Sequence, residues 1–151
     1  MEIFKNKKIL ITGHTGFKGS WLSIWLTHLG AKVVGVSNNI VGSPSNFLVS
    51  EISKVVDDYR FDIRDEGAIK SLIERVQPDF VFHLAAQALV RPSYENPLET
   101  MSINAIGSAN VLDALRGLDK KVVAVMITSD KAYDNVEWVW GYRETDRLGG
   151  K

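Results

Sequence analysis

This 151-residue chain has no cysteine, which excludes disulfides, thiolate catalysis and cysteine-ligated metal. Neither sign of charge is in excess: 18 Lys and Arg against 18 Asp and Glu sum to zero, and no long basic run occurs. The electrostatic footprint of a nucleic-acid binder is therefore missing. No apolar stretch approaches the ~18 residues needed to span a bilayer. The basic opening Met1 to Lys8 leads into an apolar run that breaks at Thr12-Gly13, which fits a first strand rather than a signal peptide. These absences predict a cytoplasmic protein with no membrane partner, no nucleic-acid partner and no metal site. There is no internal repeat or low-complexity tract, and the length suits one domain.

What is present starts at Ile9-Leu10-Ile11-Thr12-Gly13-His14-Thr15-Gly16-Phe17-Lys18-Gly19-Ser20-Trp21-Leu22. Glycines at 13, 16 and 19 fit G-x-x-G-x-x-G, a variant of the dinucleotide fingerprint. At that spacing one glycine turns the strand tightly. A second lets the backbone approach a pyrophosphate, and a third lets the helix pack close to the sheet, with free N–H groups at the helix start facing the phosphates. Glycine-rich turns are common in loops, so context decides. Lys8 to Thr12 read as a buried strand, and Trp21, Leu22, Trp25, Leu26 and Leu29 follow at helical spacing.

Further along, Ala31 to Ser37 suits a parallel strand covered on both faces, with Gly30 ending the preceding helix. Asn38 to Asn46 reads as a loop, Phe47 to Ile52 as a short helix and Val55 to Phe61 as a third strand. Asp65 stands where an N-cap belongs, before Ala68, Ile69, Leu72, Ile73 and Val76, and Pro78 closes that helix. Phe80 to Leu84 forms a fourth strand, a long helix is expected from about Pro97 to Leu118, and Val122 to Thr128 makes a fifth strand. Trp138 to Lys151 has no clear period. Alternation of this kind predicts an α/β fold, a Rossmann-like doubly wound parallel sheet with its ligand outside the C-terminal strand ends. Gly13, Asp62, Ala85 and Ser129 all fall at such ends.

Taken together, Thr12 to Gly19, Asp62-Ile63-Arg64-Asp65, His83-Leu84-Ala85-Ala86-Gln87 and Thr128-Ser129-Asp130-Lys131-Ala132-Tyr133 resemble the extended short-chain dehydrogenase/reductase superfamily of sugar-nucleotide epimerases and dehydratases. Within it, residues 13–22 and Glu-Trp-Val-Trp-Gly-Tyr-Arg-Glu at 137–144 look like the CDP-glucose 4,6-dehydratases. The resemblance implies a tightly held NAD, CDP-glucose as substrate and a CDP-4-keto-6-deoxy sugar as product, in polysaccharide sugar synthesis, with a homo-oligomer possible. Implied cofactor contacts are Gly13, Thr15, Gly16, Phe17, Lys18, Gly19, Asp62, Ile63, Leu84, Ala85, Ala86, Gln87 and Asn104. By the same resemblance Ser129 bonds the sugar C4 oxygen, Asp130 is the acid for elimination, and Lys131 stands where the C5 base stands.

Each residue also has a plainer reading. An unperturbed lysine pKa near ~10.4 makes Lys131 a base only if depressed, so orienting substrate or binding phosphate is the alternative role. Asp130 and Lys131 also suit a solvated pair. His83 reads as a satisfied core imidazole, and His14 either touches cofactor or bonds the helix end. Asp62 contacts adenine by resemblance or simply ends a strand. Asn104 matches a family asparagine or is merely bonded on its helix. Trp138 and Trp140 line the substrate side or pack on the core. A dinucleotide-binding redox sensor without chemistry, or a sugar-nucleotide epimerase or reductase, are the competing functions.

Two departures matter. The acid expected roughly 20 positions beyond the glycines is absent from Ser37-Asn38-Asn39, and no arginine for a 2′-phosphate is found there, so NAD rests on the resemblance. The superfamily's Tyr-x-x-x-Lys pair is missing as well: Tyr59, Tyr94, Tyr133 and Tyr142 all lack a lysine four positions on. Residues 1–151 are therefore expected to form an incomplete NAD-binding Rossmann domain, truncated before the catalytic Tyr-x-x-x-Lys helix and the substrate lobe. Such a chain binds cofactor but does not turn over, and exposes an apolar sheet edge.

Overall fold

The computed structural model describes residues 2–40 and 42–149. Five strands, β1 (Lys8–Thr12), β2 (Lys32–Ser37), β3 (Asp57–Arg60), β4 (Phe80–His83) and β5 (Val123–Met126), form one sheet in the order β3-β2-β1-β4-β5. Every neighbouring pair is parallel. Helices cross over between them: α1 (Phe17–His28), α2 (Asn46–Val49), α3 (Glu66–Val76), α4 (Val90–Glu95), α5 (Pro97–Met101) and α6 (Ser108–Arg116). The doubly wound α/β architecture expected from the sequence is what forms.

Alternation along the strands divides the core in two. Leu10, Val34, Val36 and Val81 face α3 and α6, meeting Ile69, Leu72, Ile73, Val76, Val111 and Ala114. Ile9, Ile11 and Val33 face the other layer, meeting Leu26, Phe47, Ile52 and Val56. Successive side chains of a strand point to opposite faces, so an uninterrupted apolar run such as Ile9-Leu10-Ile11 feeds both layers at once. Local signals work as their chemistry dictates. Asp65 accepts the Ala68 N–H at 2.9 Å and caps α3, and Gly30 takes φ +80° just past α1.

Several expectations are corrected. Strand β1 spans Lys8–Thr12 as expected, whereas β2 to β5 are one to three residues shorter than their apolar runs. The short helix after the loop is split into α2 and a 3-10 turn, Ile52–Lys54. Helix α4 carries no apolar period and was not expected; Pro92 is tolerated because it lies in the first turn, where no N–H is needed. The long helix from Pro97 is interrupted by a π-helical turn, Ser102–Gly107, between α5 and α6. Asn104 in that turn exchanges two hydrogen bonds with the backbone of Gln87, at 2.8 and 3.0 Å, so the widened turn is tied to the chain after β4. Trp138 to Gly149 holds no helix or strand, only a Tyr133–Leu148 bridge at its flanks; Gly150 and Lys151 lie outside the described residues.

Helix α1 departs most from its reading. Leu26 is fully buried, but Trp21 and Trp25 remain 55% and 48% exposed, and the buried face carries Gly19, Ser20 and Ser23 instead. The start of α1 lies so close to the glycine turn that only small residues fit beneath it, which turns the indoles outward.

At the other side of the sheet β5 has one neighbouring strand among the described residues, and Val123, Val125 and Ile127 are exposed along it. An uncovered apolar edge templates pairing with another chain. The 151-residue protein is expected to self-associate with rising concentration in sedimentation velocity, and Val125→Lys is expected to restore a monomer.

Candidate functional site

Strand order reverses between β1 and β4, because the crossover from β1 runs to β2 on one side while β4 lies on the other. The crevice outside the C-terminal ends of these strands is where ligands bind in such sheets. Five segments reach it: the glycine turn after Thr12, the loop after Ser37, Asp62-Ile63 after β3, Leu84 to Gln87 after β4, and Ser129 to Lys131 after β5. The sequence-predicted site residues are thus carried on these strand ends and on the start of α1, except Asn104 in the π-helical turn.

The glycine turn is a close-packed cradle. Gly13 has φ +76°, and a Cβ there would stand 2.7 Å from the Ala85 nitrogen, so the small residues after β4 pass directly against it. A Cβ on Gly19 would stand 2.1 Å from the Gly13 carbonyl oxygen, and one on Gly16 would be 3.3 Å from that same atom. The N-cap of α1 is Gly16, and no side chain caps the helix. Phe17 and Lys18 are exposed at its first turn. Uncapped N–H groups at the positive end of a helix form an anion site, and the geometry fits a pyrophosphate. Thr15 is buried and donates its hydroxyl to the Asn39 carbonyl at 2.7 Å, tying the turn to the end of β2.

Beneath the turn lies a chain of neutral hydrogen bonds with a single direction. Ser108 Oγ donates to the Asn104 carbonyl at 2.7 Å, so it accepts from His83 Nε2 at 2.8 Å. His83 Nδ1 then accepts from Thr12 Oγ1 at 2.7 Å, and Thr12 Oγ1 accepts the Ala85 N–H at 3.1 Å. His83 is buried, which lowers its pKa, and the bonds need the neutral ring. The core reading of His83 therefore stands, and the imidazole braces β1, β4 and the π-helical turn against one another.

The His14 carbonyl bonds the start of α1, accepting the Ser20 hydroxyl at 3.2 Å, but its side chain turns into the core. It is fully buried, its ring meets Phe47 edge-on at 5.3 Å, and Nε2 bonds Asp58 Oδ1 at 2.9 Å. Gly35 makes its room, since a Cβ there would meet the ring at 2.3 Å. Burial lowers the His14 pKa despite the opposing Asp58 carboxylate.

Asp62 gives both carboxylate oxygens to Arg64, with bonds from 2.7 to 3.1 Å, and the Arg64 backbone N–H adds another at 2.9 Å. That pairing holds its carboxyl below the usual range. The Ile63 side chain is buried against Gly107, where a Cβ would be 2.6 Å from Cδ1. Leu84, Ala85 and Gln87 are half-buried, whereas Ala86 and Asn104 are exposed.

Beyond β5, Ser129 caps a 3-10 turn, Asp130–Ala132, by accepting the Lys131 N–H at 3.2 Å. Lys131 Nζ stands 3.2 Å from Asp130 Oδ1, and both side chains are largely in water. Lys131 is the principal cause of an Asp130 carboxyl held below its ordinary pKa. A carboxylate of that kind is a poor proton donor at neutral pH, so service as an acid requires the group to be covered. A cavity of about 370 Å³ adjoins it, lined by Asp130, Lys131 and the tyrosines 94, 133 and 142. Tyr133 and Tyr142 stack at 5.0 Å, with Trp138 tilted against Tyr142 at 5.8 Å. Trp138 therefore packs on this aromatic group rather than on the core, and Trp140 is 72% exposed. The sequence names these tyrosines only as lacking a lysine four positions on; their grouping is hidden because no period links them.

An arginine from a neighbouring strand does reach the β2 end, contrary to the expectation from Ser37-Asn38-Asn39. Ser37 of β2 pairs with Arg60 of β3, and Arg60 Nη1 stands 3.5 Å from the Asn39 carbonyl. Separation of 21 residues hid this neighbour; only parallel pairing reveals it.

Comparison with known proteins adds to this geometry. Residues 10–149 match the family model described as GDP-mannose 4,6 dehydratase. CDP-glucose 4,6-dehydratase of Salmonella typhimurium is 46% identical over 149 residues, covering 99% of this chain and 42% of that protein. A GDP-mannose 4,6-dehydratase of Yersinia enterocolitica is 31% identical, covering 87% of this chain and 37% of that protein. Among solved structures, UDP-glucose 4-epimerase of Thermus thermophilus in complex with NAD superposes with a TM-score of 0.81 at 29% identity, over 95% of this chain and 45% of that one. The chain thus spans less than half the length of the relatives it matches. Its fold, its glycine cradle and its match across residues 10–149 together place it in the GDP-mannose 4,6 dehydratase family of nucleotide-sugar dehydratases and epimerases.

Proposed function

We propose that this chain is the cofactor-binding part of an NAD-dependent nucleotide-sugar 4,6-dehydratase that acts on CDP-glucose. The observation that carries the cofactor reading is the cradle at 13–19, where backbone close enough to forbid a Cβ leaves an uncapped helix end facing the crevice. The likeness to the Salmonella typhimurium enzyme supports the sugar nucleotide. Gly13, Thr15, Gly16, Phe17, Lys18 and Gly19 would hold the pyrophosphate, Asp62 and Ile63 would border the adenine, and Leu84 to Gln87 with Asn104 would flank the nicotinamide.

NAD held by these residues would supply a reversible hydride acceptor for the sugar. The protein's own groups move the protons. Ser129 hydrogen-bonds the C4 oxygen, and the C4 hydroxyl proton passes to a base outside residues 1–151, the tyrosine of the superfamily's Tyr-x-x-x-Lys pair. Asp130 protonates the departing C6 hydroxyl, and Lys131 receives the C5 proton or orients the sugar, so that one water leaves across C5 and C6. Asp130 must enter this step protonated, which in water its Lys131 partner opposes. The rest of a chain of the relatives' length would supply the cover that raises its pKa.

The test has two arms. The 151-residue protein is expected to bind NADH in a fluorescence titration but to leave CDP-glucose unchanged. A chain extended to the relatives' length is expected to yield a product lighter by one water, with Asp130→Asn slowing it by roughly 10²- to 10⁴-fold. A folded protein that ignores NADH overturns the cofactor reading. An extended chain that binds NAD but leaves CDP-glucose intact overturns the dehydratase reading and favours a redox-sensing module.

A further inference from the structure

Within the glycine turn, where close packing calls for small residues, His14 sends a large polar side chain away from the crevice and into the core, where it is fully buried. A buried imidazole is costly unless it is bonded. Gly35 of β2 makes room for the ring, since a Cβ there would lie 2.3 Å from two of its carbons, and Phe47 of α2 covers it edge-on at 5.3 Å. Asp58 of β3 accepts the Nε2–H at 2.9 Å, and Arg60 holds the other oxygen of that carboxylate at 2.7 Å.

The ring is thus anchored two strands away from the turn it belongs to. Its backbone reaches the other way: the His14 carbonyl accepts the Ser20 hydroxyl, and the His14 Cα is one of the atoms that a Cβ on Gly19 would strike. His14 therefore joins β3 to the first turn of α1, whose uncapped N–H groups face the crevice. The second ring nitrogen, Nδ1, is buried without a hydrogen-bond partner, the state that a neutral ring with its proton on Nε2 leaves there. The backbone carbonyl that favours a charged ring is that of Val36, and it already accepts the Gly13 N–H at 2.8 Å. A proton on Nδ1 would compete with the first glycine of the turn for that carbonyl. Asp58 and Arg60 of β3 are the charged groups that act on the ring among the described residues; Gly35 and Val36 of β2, Phe47 of α2 and Ser20 of α1 bring no charge.

We propose that His14 is a positioning residue for the dinucleotide: through its bond to Asp58 it fixes the depth and backbone geometry of the phosphate turn without touching the cofactor. It acts as the neutral ring, because a charged ring draws on the acceptor that holds Gly13, while the Asp58 carboxylate cancels its charge. The inference rests on the dinucleotide reading of the glycine turn, and it concerns how the turn is held, not whether a nucleotide enters it.

Calorimetric titration of the 151-residue protein with NAD, with urea unfolding of each variant alongside, tests it. His14→Leu keeps most of the volume and removes the donor, and Asp58→Ala removes the anchor without altering the turn itself. Each should weaken NAD by about 10-fold, the worth of one hydrogen bond to a charged group. The double variant should also stay near about 10-fold, because the two substitutions act through one contact. His14→Gln restores an uncharged N–H donor and should bind NAD within about 3-fold of the parent at about pH 7.5. Between about pH 7.5 and 5.5 the parent's affinity should fall as acid charges the ring, whereas His14→Gln, which does not titrate, should stay level. A role in the core alone gives a different pattern: lower urea midpoints, with NAD affinity unchanged in folded His14→Leu and Asp58→Ala. That pattern, penalties that simply add in the double variant, or a parent affinity level with pH overturns the positioning role and leaves the dinucleotide site standing. Should His14→Leu fail to fold, Asp58→Ala, made at a partly exposed side chain, decides by itself. A folded parent that binds no NAD overturns both readings.

Discussion

Gly19→Ala is expected to abolish measurable NAD binding and to destabilise the fold. The added Cβ would lie 2.1 Å from the Gly13 carbonyl oxygen and 2.8 Å from both the Gly13 carbonyl carbon and the His14 Cα. All three are backbone atoms, so no side-chain rotation relieves the clash. Either α1 lifts from the sheet or the turn opens, and both separate the helix N-terminus from the position of the pyrophosphate. Overpacking of this kind costs about 1–3 kcal/mol, and an obstacle made of backbone puts the cost at the upper end. Binding should weaken by at least about 100-fold, equivalent to ~2.7 kcal/mol. Gly16→Ala is the graded control, because its Cβ would sit 3.3 Å from the Gly13 oxygen, a distance that a small shift relieves. Calorimetric titration with NAD and urea unfolding of the two variants should order them clearly. If Gly19→Ala binds NAD as the parent does, the cradle does not hold the cofactor.

Stability should fall as pH drops from 7.5 to 5.5. His14 and His83 are both buried, and burial lowers both pKa values in the folded state. Below about pH 6.5 the unfolded chain protonates both rings more readily than the folded chain does. The contribution of these neutral rings is thus complete above the unfolded value and is lost as pH falls towards the folded values. Each histidine adds up to ~1.4 kcal/mol per pH unit across that window, ~2.7 for the pair. Asp62 and Asp79, whose carboxyls are held low by Arg64 and Lys120, act in the same direction at more acid pH, below about 4. Urea midpoints at pH 7.5, 6.5 and 5.5 should decline mainly over the last interval, and His83→Gln should flatten that decline by removing one titrating ring. A level profile down to pH 5.5 contradicts the buried, neutral imidazoles.

The physical reason for the first effect was readable from residue spacing. Gly13, Gly16 and Gly19 could be assigned separate jobs because a tight turn, a close approach and a helix start each require a missing Cβ at a fixed offset. Asp65 as a cap, Gly30 as a terminator and Lys8 to Thr12 as a buried strand were legible for the same reason: each depends on neighbours a few positions away. Trp21 and Trp25 show the limit of that reasoning. Helical spacing marked them as apolar, but which face of α1 turns inward depends on how closely its first turn packs on the Gly13 carbonyl, a contact between elements. The π-helical turn was hidden likewise, since it goes with a bond between Asn104 and a backbone segment 17 residues earlier.

From the sequence alone came the doubly wound α/β class, the glycine cradle, the strand ends that carry the site and the nucleotide-sugar family, all of them set by local pattern. Tertiary structure alone placed Arg60 and Asp58 beside Asn39, made His14 a core residue, aligned Thr12, His83, Ser108 and Asn104 into one directed chain of bonds, and set Asp130 against Lys131 in open water. Those relations join residues distant along the chain or depend on solvent exposure, and parallel pairing through crossovers brings together positions that no local period connects.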